Sequence, residues 1–394
     1  MRTGAPASRS AARGRREFLP EYAHEGGRPR AVDDRVSGEF WRGKRVLITG
    51  HTGFKGGWLA LWLSSLGAKV SGYALAPETQ PNLFEIARLG SAGIDHRLGD
   101  IRDLAALQAA VKESRPEVLF HLAAQSLVRR SYLEPIETYA TNVLGTAHVL
   151  EAVRREPSAQ VVVIATSDKC YENRERNDGY VETEPMGGRD PYSSSKGCAE
   201  LVTAAYRASY FDPVRHAEHR VAVATVRAGN VIGGGDWSTD RLIPDVFRAA
   251  VAKSPVRIRS PASVRPWQHV LEPLGGYLLL AERLWSEGAR YSQAWNFGPA
   301  DRDARPVAEL MDRLVGLWGD GLRWETDAGS HPHEAAQLRL NSAKARKQLG
   351  WRPRLDLEQA LAWTVDWYKA SLRGEDMRAL TAGQIAKYAQ GAGA

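Results

Sequence analysis

Arg45-Val46-Leu47-Ile48-Thr49-Gly50-His51-Thr52-Gly53-Phe54-Lys55-Gly56 is the stretch from which the fold is read. Its opening run is apolar and partly β-branched, which predicts a buried parallel strand. Beyond it, Trp58-Leu59-Ala60-Leu61-Trp62-Leu63 predicts an apolar helix. Between the two, Gly50 permits a tight turn and Gly53 lets backbone N–H groups approach a phosphate at the helix N-terminus. Gly56 allows the helix to pack closely on the sheet. The plainer alternative is an ordinary glycine-rich turn. Strand, glycine turn and helix in this order favour the phosphate-binding start of a dinucleotide fold.

Strand-like and helical runs alternate outward from this motif. Strands are predicted over 69–75, 94–100, 117–124, 160–167 and 220–231, and helices over 104–113, 138–155 and 192–210. The run Val161-Val162-Val163-Ile164-Ala165 is continuously apolar, as a strand covered on both faces must be. This β-α alternation predicts an α/β fold, a doubly wound parallel sheet of Rossmann type. After about residue 230 the character changes to loops and helices (273–287, 307–318 and 357–372). These predict a smaller, mostly helical C-terminal substrate lobe closing over a cleft, with the chain crossing back to the sheet more than once. The expected divisions are a disordered leader over 1–37, a dinucleotide domain over 38–232, the lobe over 233–375 and a C-terminal tail over 376–394.

Composition narrows the function classes. The 394 residues carry a net charge of +7, with ordinary hydrophobic (43%) and charged (25%) content. Residues 1–37 hold eight Arg against five acids, so +3 of the +7 lies in the leader. The remaining +4 is too dilute for a nucleic-acid surface and suits a diphosphate-bearing substrate equally well. With two cysteines, Cys170 and Cys198, no disulfide framework is implied, and a reducing cytoplasm fits. No apolar run reaches the length of a membrane span, and no metal-binding pattern is read.

The chemistry is read from Tyr192-Ser-Ser-Ser-Lys196, which follows Thr166-Ser167-Asp168-Lys169. A Tyr and a Lys four apart share one helical face. An ammonium beside a phenol lowers a reference pKa of about 10 and makes a base for a sugar or alcohol hydroxyl. Ser167, at a neighbouring strand end, would hold the same substrate oxygen. Lys196 has a plainer alternative, an ion pair with Glu200 one turn on. His121 and Gln125 lie near the end of the fourth strand, and a lone His there is more often structural. His51 is expected to shape the turn. Cys170 is expected as a small buried hydrophobe.

Thr49-Gly-x-x-Gly-x-x-Gly56 together with Asp100, Asn142, Ser167 and Tyr192-x-x-x-Lys196 resembles the extended short-chain dehydrogenase/reductase superfamily over roughly residues 40–370. Gly50-His-Thr-Gly-Phe-Lys-Gly56, Thr166-Ser-Asp-Lys-Cys-Tyr171 and Arg227-Ala-Gly-Asn-Val-Ile-Gly-Gly-Gly-Asp-Trp237 most resemble the CDP-glucose 4,6-dehydratase family within it. The resemblance implies conversion of CDP-D-glucose to CDP-4-dehydro-6-deoxy-D-glucose with a tightly held NAD. Tyr192 would take the 4-hydroxyl proton, Lys196 would hold the nicotinamide ribose and Ser167 would bond the 4-oxygen. Asp168 and Lys169 would serve the elimination across C5 and C6, Lys169 as C5 base or as enolate stabiliser.

By the same resemblance, Gly50, Thr52, Gly53, Phe54, Gly56, Asp100, Ile101 and Ala123 would hold the cofactor beside Tyr192 and Lys196. Gln125, Asn230, Arg241 and Arg265 would hold the sugar nucleotide, Arg265 as a clamp on the diphosphate. A homodimer pairing the helices around 138–155 and 192–210 is also implied. The acid that commonly follows the second strand is missing from Gly72-Tyr73-Ala74-Leu75-Ala76-Pro77, and no Arg occupies that turn. Sequence alone therefore separates NAD from NADP poorly, and NAD is favoured by resemblance. The alternatives are a nucleotide-sugar 4-epimerase or another NAD(P)-dependent member of the superfamily, and, from another class, a catalytically silent cofactor-binding protein.

Overall fold

Seven parallel strands carry the structure: β1 (Arg45–Thr49), β2 (Lys69–Ala74), β3 (Asp95–Leu98), β4 (Val118–His121), β5 (Val161–Ala165), β6 (Ala222–Ala228) and a late one at Ala294–Phe297. In the computed structural model, which describes residue 1 and residues 35–156, 158–176, 178–329 and 337–391, their order is late strand, β6, β5, β4, β1, β2, β3. All six pairings are parallel. The order reverses between β1 and β4, so a crevice opens beyond the carboxyl ends of these two strands, where open α/β sheets take their ligands.

Alternation along the strands sorts the core into two layers. Val46, Ile48, Val118, Phe120, Val161 and Val163 face the helices Phe54–Ser65 and Leu271–Tyr291. Leu47, Leu119, Val162 and Ile164 face Leu104–Ser114 and Gly145–Arg155. β4 and β5 at the centre of the sheet are buried on both sides, which explains their apolar character, whereas β3 at the edge is polar and has no buried residue.

The remaining strands are β7 (Asn230–Ile232), β8 (Val256–Ile258), β9 (Val264–His269), the late strand already met, now β10, then β11 (Ala304–Pro306) and β12 (Trp324–Thr326). They form a three-stranded sheet in the order β11-β9-β7 and a β12-β8 pair. The run predicted as one strand over 220–231 breaks at Gly229 into β6 and β7. Among the described residues, the chain returns to the main sheet once, through β10, rather than repeatedly. The helix predicted over 138–155 is also divided. A π-turn at Ala140–Leu144 lies between Pro135–Tyr139 and Gly145–Arg155.

The expected leader falls almost wholly on residues 2–34, outside the described residues. Folded structure is joined by Ser37, which caps Gly38–Trp41 through its side chain. Trp41 is buried and donates its indole N–H to Glu282 at 2.8 Å. The expected tail is corrected to a helix, Met377–Ala389, capped by Asp376. The helix Phe54–Ser65 is buried all round from Trp58 to Leu63 and needs cover on its outer side as well as against the sheet. Tyr388 meets Trp62 edge-on, with ring centroids 5.6 Å apart. Its hydroxyl donates to buried Glu272 at 3.0 Å. The Glu272 carboxylate also accepts the backbone N–H groups of Arg354 (3.0 Å) and Leu355 (2.7 Å), tying three chain segments together.

No helix among the described residues is long and apolar enough to cross a membrane. No cluster of His, Cys, Asp and Glu that would hold a metal ion occurs among them. Removing the closure should be costly. Tyr388→Ala is expected to destabilise the protein by about 3–5 kcal/mol in urea unfolding, the usual range for deleting a buried aromatic ring.

Candidate active site

The crevice is lined from both sides, with a cavity of about 1020 Å³ running from the glycine turn to the small sheet. Its floor is set by contacts that exclude side chains. Gly50 has φ +81°, and a Cβ there would lie 2.6 Å from the Ala123 backbone nitrogen. A Cβ on Gly56 would lie 2.1 Å from the Gly50 carbonyl oxygen. Gly56 therefore keeps the turn itself closed, a tighter constraint than the helix-on-sheet packing expected for it. Gly53 caps the helix Phe54–Ser65 without a side-chain bond, leaving its first N–H groups for an anion. Thr52 donates to the Leu75 carbonyl at 2.9 Å, and Phe54 and Ala123 line the same wall. This cradle fits a dinucleotide diphosphate.

His51 lies under the turn, fully buried, with Nε2 2.6 Å from His96 Nδ1. Its ring fills the space a side chain at Gly72 would need. His121 is likewise structural, between the Thr49 hydroxyl at 2.7 Å and the Thr146 hydroxyl at 3.2 Å.

At the far side of the turn, Asp100 and Ile101 line the cleft. The Asp100 carboxylate accepts the Arg102 N–H at 2.9 Å and its guanidinium. Glu78, four residues past the end of β2, is a carboxylate of this wall that the sequence search stopped short of; Arg130 binds it at 3.0 Å.

The helix Pro191–Ser209 begins at a firm cap. Asp190 accepts the Ser193 N–H at 2.9 Å, with Pro191 in the first turn. That cap fixes Tyr192 and Lys196, both buried, against the end of β5. Lys196 donates to the Ala165 carbonyl at 3.2 Å. The alternative pairing with Glu200 does not form, because Arg227 occupies that carboxylate at 2.8 Å. Ser167 lines the cleft with Tyr192, accepts the Lys169 N–H at 3.2 Å and donates to Asp168 Oδ1 at 3.1 Å. Asp168 is buried, and its Oδ2 has no hydrogen-bond partner. Lys169 follows, half-buried, on the same 3₁₀ turn Asp168–Cys170 and lines the cleft. Cys170 is a buried free thiol, and burial pushes its pKa up, as for an inert core residue.

Electrostatically, burial dominates. It pushes the Tyr192 phenol up to about 12, with Asp168 and Asp190 acting the same way and Ser167 and Arg241 opposing. The lowering expected from Lys196 is therefore not met in the protein alone. Burial lowers Lys196 to about 8 and raises Asp168 above the usual carboxylate range. Lys55 is a residue the sequence analysis quoted without a role. Burial, then Arg241 and Lys196, lower it to about 7, and Asp168 opposes. The signal was present, since Lys55 is the one Lys, Arg, Asp or Glu between Arg45 and Lys69.

Of the residues expected at the sugar nucleotide, Asn230, Arg241 and Arg265 line the cleft. Asn230 pairs in register with Trp267 of β9, and Arg265 stands two residues before Trp267 on the same face. Arg241 binds Asp236 at 2.9 Å and the Ser126 hydroxyl at 2.8 Å. Asp236 is a third site residue given no role in the sequence analysis, buried just after the glycines Gly233-Gly234-Gly235. Gln125 lines the cleft as well. Its amide donates to Leu127 O (3.1 Å) and Thr138 Oγ1 (2.8 Å), and its oxygen accepts Leu127 N–H at 2.6 Å. These bonds hold its side chain in the cleft wall.

A doubly wound sheet with a glycine cradle at the switch point and Tyr192-x-x-x-Lys196 beside it defines an extended short-chain dehydrogenase/reductase. The profile of the GDP-mannose 4,6 dehydratase family matches residues 47–277. The chain is 55% identical over 353 residues to a CDP-glucose 4,6-dehydratase of Salmonella typhimurium, covering 90% of this chain and 98% of that one. A dTDP-glucose 4,6-dehydratase of Xanthomonas campestris is 28% identical, over 82% and 92% of the two chains. In fold, the chain matches a dTDP-glucose 4,6-dehydratase of Bacillus anthracis solved in complex with NAD, with a TM-score of 0.68, 23% identity, and 84% and 98% coverage. The chain belongs to this family of sugar-nucleotide 4,6-dehydratases.

The buried imidazoles give a pH prediction. His51 is lowered to about 4, by burial and then His96, and His121 to about 3, by burial and then Lys196. Unfolded, both titrate near 6.5. Below that pH the unfolded chain binds protons that the native one refuses. Their stabilisation is full above about 6.5 and is lost as pH falls toward the folded values, for His51 on the order of 3 kcal/mol. Urea midpoints measured across this range should fall with pH, and His121→Gln should flatten the slope.

Proposed function

We propose that the protein is a CDP-glucose 4,6-dehydratase, forming CDP-4-dehydro-6-deoxy-D-glucose from CDP-D-glucose. The observation that carries this reading is the buried Ser167-Asp168-Lys169 turn packed against Tyr192 and Lys196. The 55% identity to the Salmonella typhimurium enzyme supports the choice of CDP-glucose. NAD fits the glycine cradle, with Asp100 and Ile101 at its adenosine end and Tyr192 and Lys196 at its nicotinamide end. NAD is preferred over NADP because the cations of that wall, Arg102 and Arg130, are each engaged by carboxylates. Equal binding of both dinucleotides in a titration would count against this preference.

When bound, NAD supplies the hydride acceptor for C4, the donor back to C6, and a positive ring beside the phenol. The protein's own groups move the protons. Tyr192 takes the 4-hydroxyl proton while Ser167 holds the 4-oxygen. The resulting ketone acidifies the C5 proton. Asp168, whose carboxyl burial raises above its ordinary value, is placed to give a proton to the departing 6-hydroxyl. Lys169 takes the C5 proton or stabilises the enolate. Arg265 and Asn230 hold the diphosphate and sugar, with Arg241, fixed by Asp236, closing the far wall.

A 4-epimerase, the other reading within the fold, has no need of an acid positioned as Asp168 is. Incubation with CDP-glucose followed by alkali tests the choice, since a 4-keto-6-deoxy sugar develops ultraviolet absorbance and an epimer does not. Parallel incubations with dTDP-, UDP- and GDP-sugars set the nucleotide. Tyr192→Phe should lower kcat by about a hundredfold to ten-thousandfold, the usual range for a positioned acid-base group. Lys169→Ala should abolish C5 exchange with solvent while C4 oxidation continues.

We also propose a homodimer. Leu133, Ile136, Leu144, Leu201 and Tyr210 are exposed on neighbouring helices and give an apolar face that a second copy would cover. Light scattering should give twice the chain mass, and Leu144→Arg combined with Leu201→Arg should give the monomer. A cytoplasmic setting suits the two free thiols.

A further inference from the structure

Thr166 to Tyr171 spans the end of β5 and the turn that carries Ser167, Asp168 and Lys169. Its two ends are tied to opposite halves of one buried ion pair. Glu200, one helical turn beyond Lys196, accepts Arg227 Nε on Oε1 at 2.8 Å and Arg227 Nη2 on Oε2 at 2.8 Å. The Thr166 hydroxyl completes Oε1 at 2.5 Å, and the Thr225 hydroxyl completes Oε2 at 2.8 Å. The third guanidinium nitrogen, Nη1, donates to the Tyr171 hydroxyl at 2.7 Å and the Glu182 carbonyl at 3.1 Å. Tyr171 in turn donates to Asn296 of β10 at 2.8 Å.

A buried ion pair is a poor source of net stability, because desolvation offsets most of the attraction. What this one provides is direction. Two successive residues of the strand end are bonded to the helix Pro191–Ser209, the Ala165 carbonyl by Lys196 and the Thr166 hydroxyl by Glu200, and Ser167, which lines the cleft with Tyr192, follows directly. The carboxylate therefore ties the residue before Ser167 to the helix that carries Tyr192. The guanidinium fixes where the chain leaves the Asp168-Lys169 turn.

We propose that Glu200 and Arg227 are positioning residues that hold the catalytic turn in register with the Tyr192 helix. Thr166 sets the C4 half of the chemistry and Tyr171 the elimination half. The inference rests on the dehydratase reading for its two half-reactions, and on geometry alone for the positioning.

Thr166→Val and Tyr171→Phe each remove one tie and leave the ion pair in place. With CDP-glucose, each should lower kcat by about tenfold to a hundredfold at nearly constant KM, as sub-ångström misplacement does. Thr166→Val should enlarge the isotope effect of C4-deuterated substrate. Tyr171→Phe should depress solvent-deuterium incorporation at C5 more than C4 oxidation. A readout independent of substrate is the alkaline titration of Tyr192, followed by magnetic resonance of carbon-labelled tyrosine and assigned with Tyr192→Phe. Thr166→Val should shift it, and Tyr171→Phe should leave it in place. Unchanged kcat in both variants, or equal loss in both half-reactions with an unmoved Tyr192 titration, would overturn the proposal. If the parent protein does not turn over CDP-glucose, the substrate reading fails, and the Tyr192 titration still decides the positioning.

Discussion

Withdrawal of ionisable groups from water at the carboxyl end of β5 is the constraint on which the site depends. Asp168, Tyr192 and Lys196 are all buried within one wall of the cleft. Desolvation penalises whichever form is charged, so it raises the acids and lowers the amines. The carboxyl of Asp168 and the phenol of Tyr192 rise, while the ammonium groups of Lys196 and Lys55 fall. Groups that would stand far apart in water are drawn toward one another, and exchange of protons with a substrate becomes inexpensive. The phenol remains the exception at about 12, and the positive ring of the dinucleotide is the element that would bring it down. A bound cofactor would thus act on the proton chemistry of the site as well as supply its redox partner.

Such a concentration of buried polarity requires a rigid frame, and the packing supplies one. The glycine turn closes on its own carbonyl at Gly56, so the first helix cannot drift from β1. That helix is apolar on every side and is sealed by Met377–Ala389 on its outer surface. Glu272 joins the sealing helix to the chain around Arg354 and to the helix Leu271–Tyr291. The same helix packs on the strands that carry the catalytic turn. Stability at the C-terminus and geometry at Tyr192 are therefore joined through one continuous core.

How much of this was legible in the sequence follows from the range of the interactions. The sheet, the glycine turn and the Tyr192 helix are set by local signals: apolar runs, glycine spacing and a cap followed by proline. Asp168 and Lys169 were legible because they adjoin Ser167. Lys55 was visible as an isolated charge, but its neighbours Arg241, Lys196 and Asp168 are distant in sequence, so no role could be attached. Gln125 was legible from its place at a strand end and does line the cleft, but its bonds to Thr138 and Leu127 lie beyond what that place shows. The C-terminal helix was missed for a related reason. Its apolar residues, among them Met377, Ile385 and Tyr388, are sparse, and only the neighbouring Trp62 and Trp367 explain their burial.

The adjacency of Asp168 and Lys169 carries a further consequence. In a 3₁₀ turn, successive side chains diverge by about 120°. Asp168 is buried toward Ser167, and Lys169 is half-buried toward the cleft. Neighbours in sequence thereby differ in exposure while both line the cleft. Gly229 protects this arrangement, since a Cβ there would lie 3.0 Å from Asp168 Oδ2 and 2.7 Å from the Pro266 ring. The break between β6 and β7 thus falls at the residue whose lack of a side chain leaves room for the Asp168 carboxyl.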